Sequence, residues 1–248
     1  MAWHVYGVMS DSDPLEGTIG LGEQPLQPID GNGLRVVCSE VDDDQLPRRA
    51  DLLAHAHALE SLAEHATVIP MQYGVVMPDD ETVRAELTEQ RRDELERLIE
   101  VFEGLVQLSV VVDLVEEEAL REVLTRRQDL ADARREVERA PAAERQAQQV
   151  RLGEAVAQEL ELLREDVGDN VVQRLAPFAR AVATNEVQGA LQAANVALLV
   201  ERDRQVGLDE AVTQLRKDCE GIAQVRYVGP QPPYAFLDSV AAGDVPWA

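Results

Sequence analysis

VQLSVVVDLVEEEALREVLTRRQDLADARREVER, residues 106–139, changes character partway and decides the fold. Residues 106–114 are a β-branched, apolar run that reads as a strand. From Glu116 the chain is densely charged and free of Gly and Pro as far as Arg139. Leu120, Val123, Leu124, Leu130 and Val137 leave a thin apolar stripe on one predicted helix. At ~1.5 Å per residue, that helix would run roughly 35 Å. Ala140-Pro141-Ala142 breaks it, and Pro141 suits the first turn of a second helix. That helix is expected over residues 142–166, with Val150, Ala155, Leu160 and Leu163 inward. Gly168 punctuates it, and a further helix is expected over about 170–187. Two long helices joined by a short break pack most simply as an antiparallel, coiled hairpin.

Working back from this stretch, the first half alternates strands and helices. Residues 3–9 read as a strand, and residues 11–23, rich in Gly, Asp and Pro, as a loop. Residues 24–29 and 34–41 flank Asp30-Gly31-Asn32-Gly33. Such dipeptides supply the positive φ that a tight hairpin needs. Pro47 is expected to open a helix to about His65, with Leu52, Ala56, Leu59 and Leu62 or Ala63 on its inner face. TVIPMQYGVV, residues 67–76, reads as a strand in which Pro70 demands an edge, a bulge or a turn. Asp79-Asp80-Glu81 favours a helix start. Val83, Leu87, Leu95, Leu98, Ile99 and Phe102 mark the apolar face, and Gly104 the stop. Both helices laid on one sheet give a ferredoxin-like layer with an altered hairpin.

Beyond the hairpin, NVALLVER, residues 195–202, reads as a buried strand. A helix follows over 208–219 with Ala211, Val212 and Leu215 inward and Gly221 after its end. Residues 223–228 form a strand, GPQPPYAFL is extended, and the tail from Asp238 reads as weakly ordered. The expected class is therefore α+β with two domains. Residues 1–105 form a modified ferredoxin-like domain. Residues 106–248 form an α+β domain with the long antiparallel helical hairpin at about 116–187, a β-α-β unit and the GPQPPY segment.

The 248 residues carry 23 Lys and Arg against 47 Asp and Glu, a net charge of −24. Nucleic acid and anionic membrane surfaces would be repelled, so neither is an expected partner. Solvation of the long helices is the simplest account of the acids. Cys38 and Cys219 lack ligand spacing, which fits a reducing, cytoplasmic setting. MAWHVYGVMSDSD lacks a leader pattern, and no apolar run approaches the ~18 residues of a membrane span.

Chemical motifs are sparse. His4, His55, His57 and His65 do not converge in sequence, and His55 and His57 fall on different helix faces, against the three- or four-residue spacing of a metal pair. Glu116-Glu117-Glu118 is explained by dipole compensation at a helix start. Gly17, Gly20 and Gly22 match neither a dinucleotide fingerprint nor a P-loop. No G-x-S-x-G elbow occurs. Cys38 reads as buried, and Cys219 sits at a helix end where the dipole disfavours a thiolate. No catalytic, cofactor or metal residue is assigned, and the chain is not expected to be an enzyme.

Two stiff apolar segments stand out: Val68-Ile69-Pro70-Met71-Gln72-Tyr73-Gly74 and Gly229-Pro230-Gln231-Pro232-Pro233-Tyr234-Ala235-Phe236. Proline and aromatics lose little entropy on docking. Pro70, Met71, Tyr73, Gly74, Gly229, Pro230, Pro232, Pro233, Tyr234 and Phe236 are the candidates, either for binding a partner or for stitching the domains together.

DLLAHAHALESLAEHATVIPMQYGVV (51–76), NVALLVERD (195–203) and YVGPQPPYAFL (227–237), with the WHVYGV strand, resemble the GvpF/GvpL family of gas vesicle proteins. The resemblance runs to near Ser239. Gln72, Gln231 and Ala235 replace the family's usual arginine, tryptophan and serine, while the Gly and Pro positions are kept. The resemblance implies two domains, a ferredoxin-like one and an α+β one with long helices. It implies a cytoplasmic accessory protein of gas vesicle formation that contacts the small hydrophobic shell protein (GvpA-type) and other vesicle accessory proteins, or is itself a minor wall component. It carries over no catalytic site. An enzyme on a ferredoxin-like scaffold is the reading from another class.

Overall fold

The computed structural model describes residues 2–15, 18–41 and 48–243. It falls into two compact units. The first comprises residues 1–108, 199–204 and 228–248; the second comprises 109–198 and 205–227.

In the first unit, β1 (Ala2–Ser10) is followed by the hairpin β2 (Gln27–Gly31) and β3 (Leu34–Val41). Asn32 and Gly33 sit at φ +53° and +83°, the left-handed pair the turn signal called for. Helix α1 is Arg49–Ala63; the expected start at Pro47 lies outside the described residues. The proline-interrupted strand resolves into two short pieces, β4 (Ile69–Pro70) and β5 (Val76–Met77), both paired antiparallel to β1. The strand order is β2-β3-β1-β4, with β5 also on β1, so the Pro70 segment is an edge. Helix α2 (Asp80–Val83) is capped by the Asp79 side chain accepting from Thr82 N. A stretch of wider turns, Arg84–Gln90, then leads into α3 (Arg92–Phe102). Val83, Leu87, Leu95, Leu98 and Phe102 are buried as the period required, and Gly104 ends the helix at φ +71°.

The buried face of α1 is the expected one at Leu59, Leu62 and Ala63, but Leu52 is 48% exposed, and Asp51, His55 and Ala58 also face inward. The stripe shifts at its first turns because two of its polar residues find partners inside. Asp51 accepts from Arg48 N, and His55 is bonded on both ring nitrogens.

Strand β6 (Leu105–Leu114) does not join this sheet. It leads to α4 (Glu116–Arg126), α5 (Gln128–Arg139) and α6 (Ala142–Leu175). The single helix expected over 116–139 is two, broken at Arg127, whose backbone lies at φ −115°, ψ 83°. No Gly or Pro marks the break. Instead the Arg127 guanidinium bonds both Asp129 and Glu159, and Gln128 bonds the Thr125 carbonyl. Conversely, α6 runs unbroken through Gly168 for 34 residues. A Cβ at Gly168 would collide with the Ala193 carbonyl oxygen, so this glycine permits close packing and does not end the helix. The expected helix to about 187 stops at Leu175, and residues beyond it form β7 (Ala181–Thr184).

Then come β8 (Gln192–Glu201), α7 (Gln205–Asp218) and β9 (Ala223–Gln231). The second sheet has the order β7-β8-β6-β9. The GPQPPYAFL stretch is not wholly extended: Tyr234–Phe236 is a single tight turn, and α8 (Leu237–Ala241) follows with Val240 buried. The tail expected to be weakly ordered is thus helical to residue 241, and residues 244–248 lie outside the described chain.

The charge is distributed against expectation. The helical arm, residues 116–175, holds 15 acids and 10 arginines, a net of −5. The first unit holds 26 acids against 9 basic residues, a net of −17. The arm pairs its charges internally, as in Arg126 with Glu122 and Arg135 with Asp132. The acidic excess therefore belongs mostly to the first unit and is not explained by helix solvation.

Candidate functional site

His4 and Tyr6 lie two apart on β1 and so share a face. The β1–β3 register slips between Val5 and Gly7, leaving Tyr6 as the extra residue of a bulge. His4 Nε2 is 2.9 Å from His55 Nδ1, and His55 Nε2 is 3.1 Å from the Met71 carbonyl oxygen. A carbonyl only accepts, so His55 donates from Nε2 and accepts from His4 at Nδ1. Both imidazoles are neutral in this chain of bonds. Tyr6 OH accepts from Leu21 N at 2.7 Å and lies 2.9 Å from Ser39 Oγ. Tyr73 closes the cluster, its ring 5.5 Å from His4 and 5.7 Å from His55.

Burial lowers His4 to about 4, helped by repulsion from His55 and opposed by Asp51. Burial also lowers His55, against the Met71 hydrogen bond. Both side chains are nearly sealed from solvent, at 2% and 4% exposed. Such a pair offers no free base to a substrate. What it does is fasten the 69–77 edge to α1 through Met71.

The first candidate segment is split by this fastening. Pro70 is buried and paired with Gly7; Met71 and Tyr73 are half-buried; Gly74 is exposed at φ +94°. A Cβ on Gly7 would stand 2.7 Å from the Ile69 carbonyl oxygen, so β1 approaches this edge too closely for a side chain. In the second segment, Pro232, Pro233 and Phe236 are buried and Pro230 half-buried. Gly229, exposed at φ +136°, lies against Leu108 and the Gln107 carbonyl. Ala235 N donates to Gln107 Oε1 at 2.9 Å, and Gln231 Nε2 to Glu60 Oε1 at 3.2 Å. Tyr234 alone of its large side chains is exposed. Burial and the Glu60 charge push its hydroxyl up to about 12.

Sequence reasoning missed two partners. The His4–His55 pair joins residues 51 apart and carries no local spacing signal. Arg202, the last residue of NVALLVER, donates to the carbonyls of Ala63, Glu64 and Ala66, where α1 ends. Those carbonyls have no intrahelical donor, and a guanidinium answers several at once.

In the second unit, a cleft of about 690 Å³ lies between α6, at Arg164, Asp169 and Val172, and Thr184, Val187 and Val196. A smaller groove lies along α5 and α6. Among the described residues, no three His, Cys, Asp or Glu side chains gather to hold a metal ion. None of their helices is long and apolar enough to cross a membrane. Burial raises the Cys38 thiol to about 12 and raises Cys219 as well, which disfavours a nucleophile at either.

Residues 2–238 match the family model described as gas vesicle synthesis protein GvpL/GvpF. The chain is 31% identical to gas vesicle protein F of Streptomyces sp. strain CB03234, over 96% of this chain and 100% of that one. It is 23% identical to gas vesicle protein F of Dolichospermum flosaquae, over 95% and 98%. Its fold is similar to the crystal structure of GvpF from Anabaena sp. PCC7120, with a TM-score of 0.78 at 22% identity over 95% and 98% of the two chains. GvpF from Microcystis aeruginosa gives 0.73 at 18% over the same shares. With a family model covering nearly the whole chain and a relative matched end to end, this chain belongs to the gas vesicle synthesis protein GvpL/GvpF family.

Proposed function

We propose that the chain is a non-catalytic accessory factor of gas vesicle formation that binds the small hydrophobic shell protein (GvpA-type) during assembly. The observation that carries this reading is the family match over residues 2–238. The chemistry of the chain supports it. Its buried histidines are spent on internal hydrogen bonds, and a net charge of −24 keeps a complex with an apolar subunit in solution. Contact is through exposed aromatic and apolar surface of the first unit, Tyr234 and the 71–74 turn, while Pro232, Pro233 and Phe236 anchor that surface from inside. The strand order supports the finer fold reading of a modified ferredoxin-like first domain. With α1 after the hairpin, β2-β3-β1-β4 is a ferredoxin-like layer lacking its first crossover helix.

The test is capture of freshly dissolved shell protein by the tagged full chain, with washed mature vesicles in parallel. Stoichiometric capture of subunits without retention on vesicles is the expected result. Binding to neither sample would remove the shell protein as the partner.

A further inference from the structure

The outer strands of the two sheets are guarded against further pairing, with one exception. β2 carries Pro28 and the Asp30–Arg35 ion pair, and β9 carries Pro230 and Arg226. β4 carries Pro70, and β5 is only two residues long. Proline, charge and shortness on an outer strand keep other chains from adding to it. β7, Ala181-Val182-Ala183-Thr184, is the outer strand of the order β7-β8-β6-β9 and has neither proline nor charge. Asn185 N donates to the Asn195 carbonyl of β8 at 2.8 Å. Backbone groups alternate in direction along a strand, so Val182 and Thr184 turn their N–H and C=O groups away from β8. Among the described residues, no strand lies beyond β7 to take up those groups.

Beside this edge lies the cleft of about 690 Å³. Thr184 stands on its wall, and a strand added to β7 turns every second side chain to that same side. The floor is apolar, with Val172 and Val187 half-buried and Val196 buried. Arg164, the one cation among the lining residues, is already held by Glu161 and the Gln192 carbonyl. Glu165 and Asp169, one turn apart on α6, are exposed on the opposite wall and form no ion pair among the described residues. We propose that β7 and this cleft form a docking site for an extended, basic segment of a partner protein, which adds to the four-stranded sheet as a further strand. The backbone of that segment completes the hydrogen bonds of Val182 and Thr184. Its alternate Arg or Lys side chains lay their methylene stems over Val172 and Val187 and carry their charge to Glu165 and Asp169. A second copy of this chain is a poor occupant, since its own β7 brings no cation and each chain carries −24. The site lies wholly in the second unit and shares no residue with the proposed shell-protein contact, so either reading can fail without the other.

The experiment is fluorescence anisotropy of the full chain with a labelled hexapeptide of alternating arginine and threonine, at near-physiological salt. Wild type is expected to bind it. The same peptide with its backbone amides methylated keeps its charge but cannot pair as a strand. It should bind more weakly by on the order of tenfold. Val182→Pro removes an outward N–H without touching the bonds to β8, and Asp169→Lys reverses a charge on the wall. Each should weaken the parent peptide by on the order of tenfold, with thermal melts confirming that the variants are folded. Should Val182→Pro fail to fold, Asp169→Lys and the methylated peptide still decide the matter. Methylated and parent peptides binding equally well would mean adsorption by charge alone and overturns the proposal. So does a wild type that binds neither peptide, or folded variants that bind like wild type. Dimerisation of the chain by itself, lost in Val182→Pro, would give the edge to a second copy instead.

Discussion

At the scale of single residues, the His4–His55–Met71 chain makes stability depend on pH in one direction. His4 is held at about 4 when folded and returns to the ordinary 6.5 when unfolded. The unfolded chain therefore binds more protons between those values, and stability rises with pH across that window. His4's contribution is complete above about pH 6.5 and is lost as pH falls to about 4. It is worth on the order of 3 kcal/mol, since this side chain is buried. Urea titrations from pH 7 to pH 4 should show that loss. His4→Phe should flatten the slope while costing about 1–3 kcal/mol at pH 7, because His55 Nδ1 is left without its donor. An unchanged slope in that variant would assign the titration to other groups. None of this was legible from the sequence, where four scattered histidines argued only against a metal site. The pair is made by register and packing, not by spacing.

At the scale of elements, two glycines of α6 separate propensity from packing. Gly153 has open space where a Cβ would go, whereas Gly168 has the Ala193 carbonyl. Gly153→Ala should stabilise the chain by up to about 1 kcal/mol, the ordinary helix preference. Gly168→Ala should destabilise it by about 1–3 kcal/mol despite the same preference, because α6 must shift off β8. Thermal melts of the two variants moving in the same direction would refute the close-packing account. Arg202 offers a second element-scale prediction. Arg202→Ala should cost roughly 2–4 kcal/mol by leaving three carbonyls at the end of α1 without a donor, and Arg202→Lys should recover little of it. Chemical denaturation of both variants measures this. The sequence reported the elements faithfully where local chemistry sets them: the Asp30–Gly33 turn, the Gly104 and Gly221 stops, and the Pro70 edge. It failed where tertiary contact overrides local preference. Gly168 reads as a break and is a contact. Arg127 reads as helix and is a corner. Leu52 reads as core and is exposed, since Asp51 and His55 are satisfied inside.

At the scale of the whole molecule, the chain closes its first unit with its last residues. Residues 228–243 follow more than a hundred residues assigned largely to the second unit, yet they belong to the first. The composition of GPQPPYAF singled it out in the sequence, but not whether its rings and prolines face a partner or the interior. Pro232, Pro233, Phe236 and Val240 are buried, and only Tyr234 presents a large exposed ring. Binding and folding should therefore separate within one segment. Tyr234→Ala should cost only about 1–2 kcal/mol, since 42% of the residue is exposed, and should lower shell-protein capture. Phe236→Ala should cost about 3–5 kcal/mol by emptying a buried site. A chain ended after Tyr227 loses all four anchors together with the Gln107 and Glu60 hydrogen bonds. Hydrogen exchange on that truncated chain should then show β1 and β3 losing protection, while α6, whose partners α4, α5 and α7 remain, keeps it. Equal loss in both units would mean that the chain unfolds as one cooperative body. Protection of β1 as in the full chain would mean that the C-terminal segment only decorates the unit it closes, freeing its prolines and Phe236 for a partner.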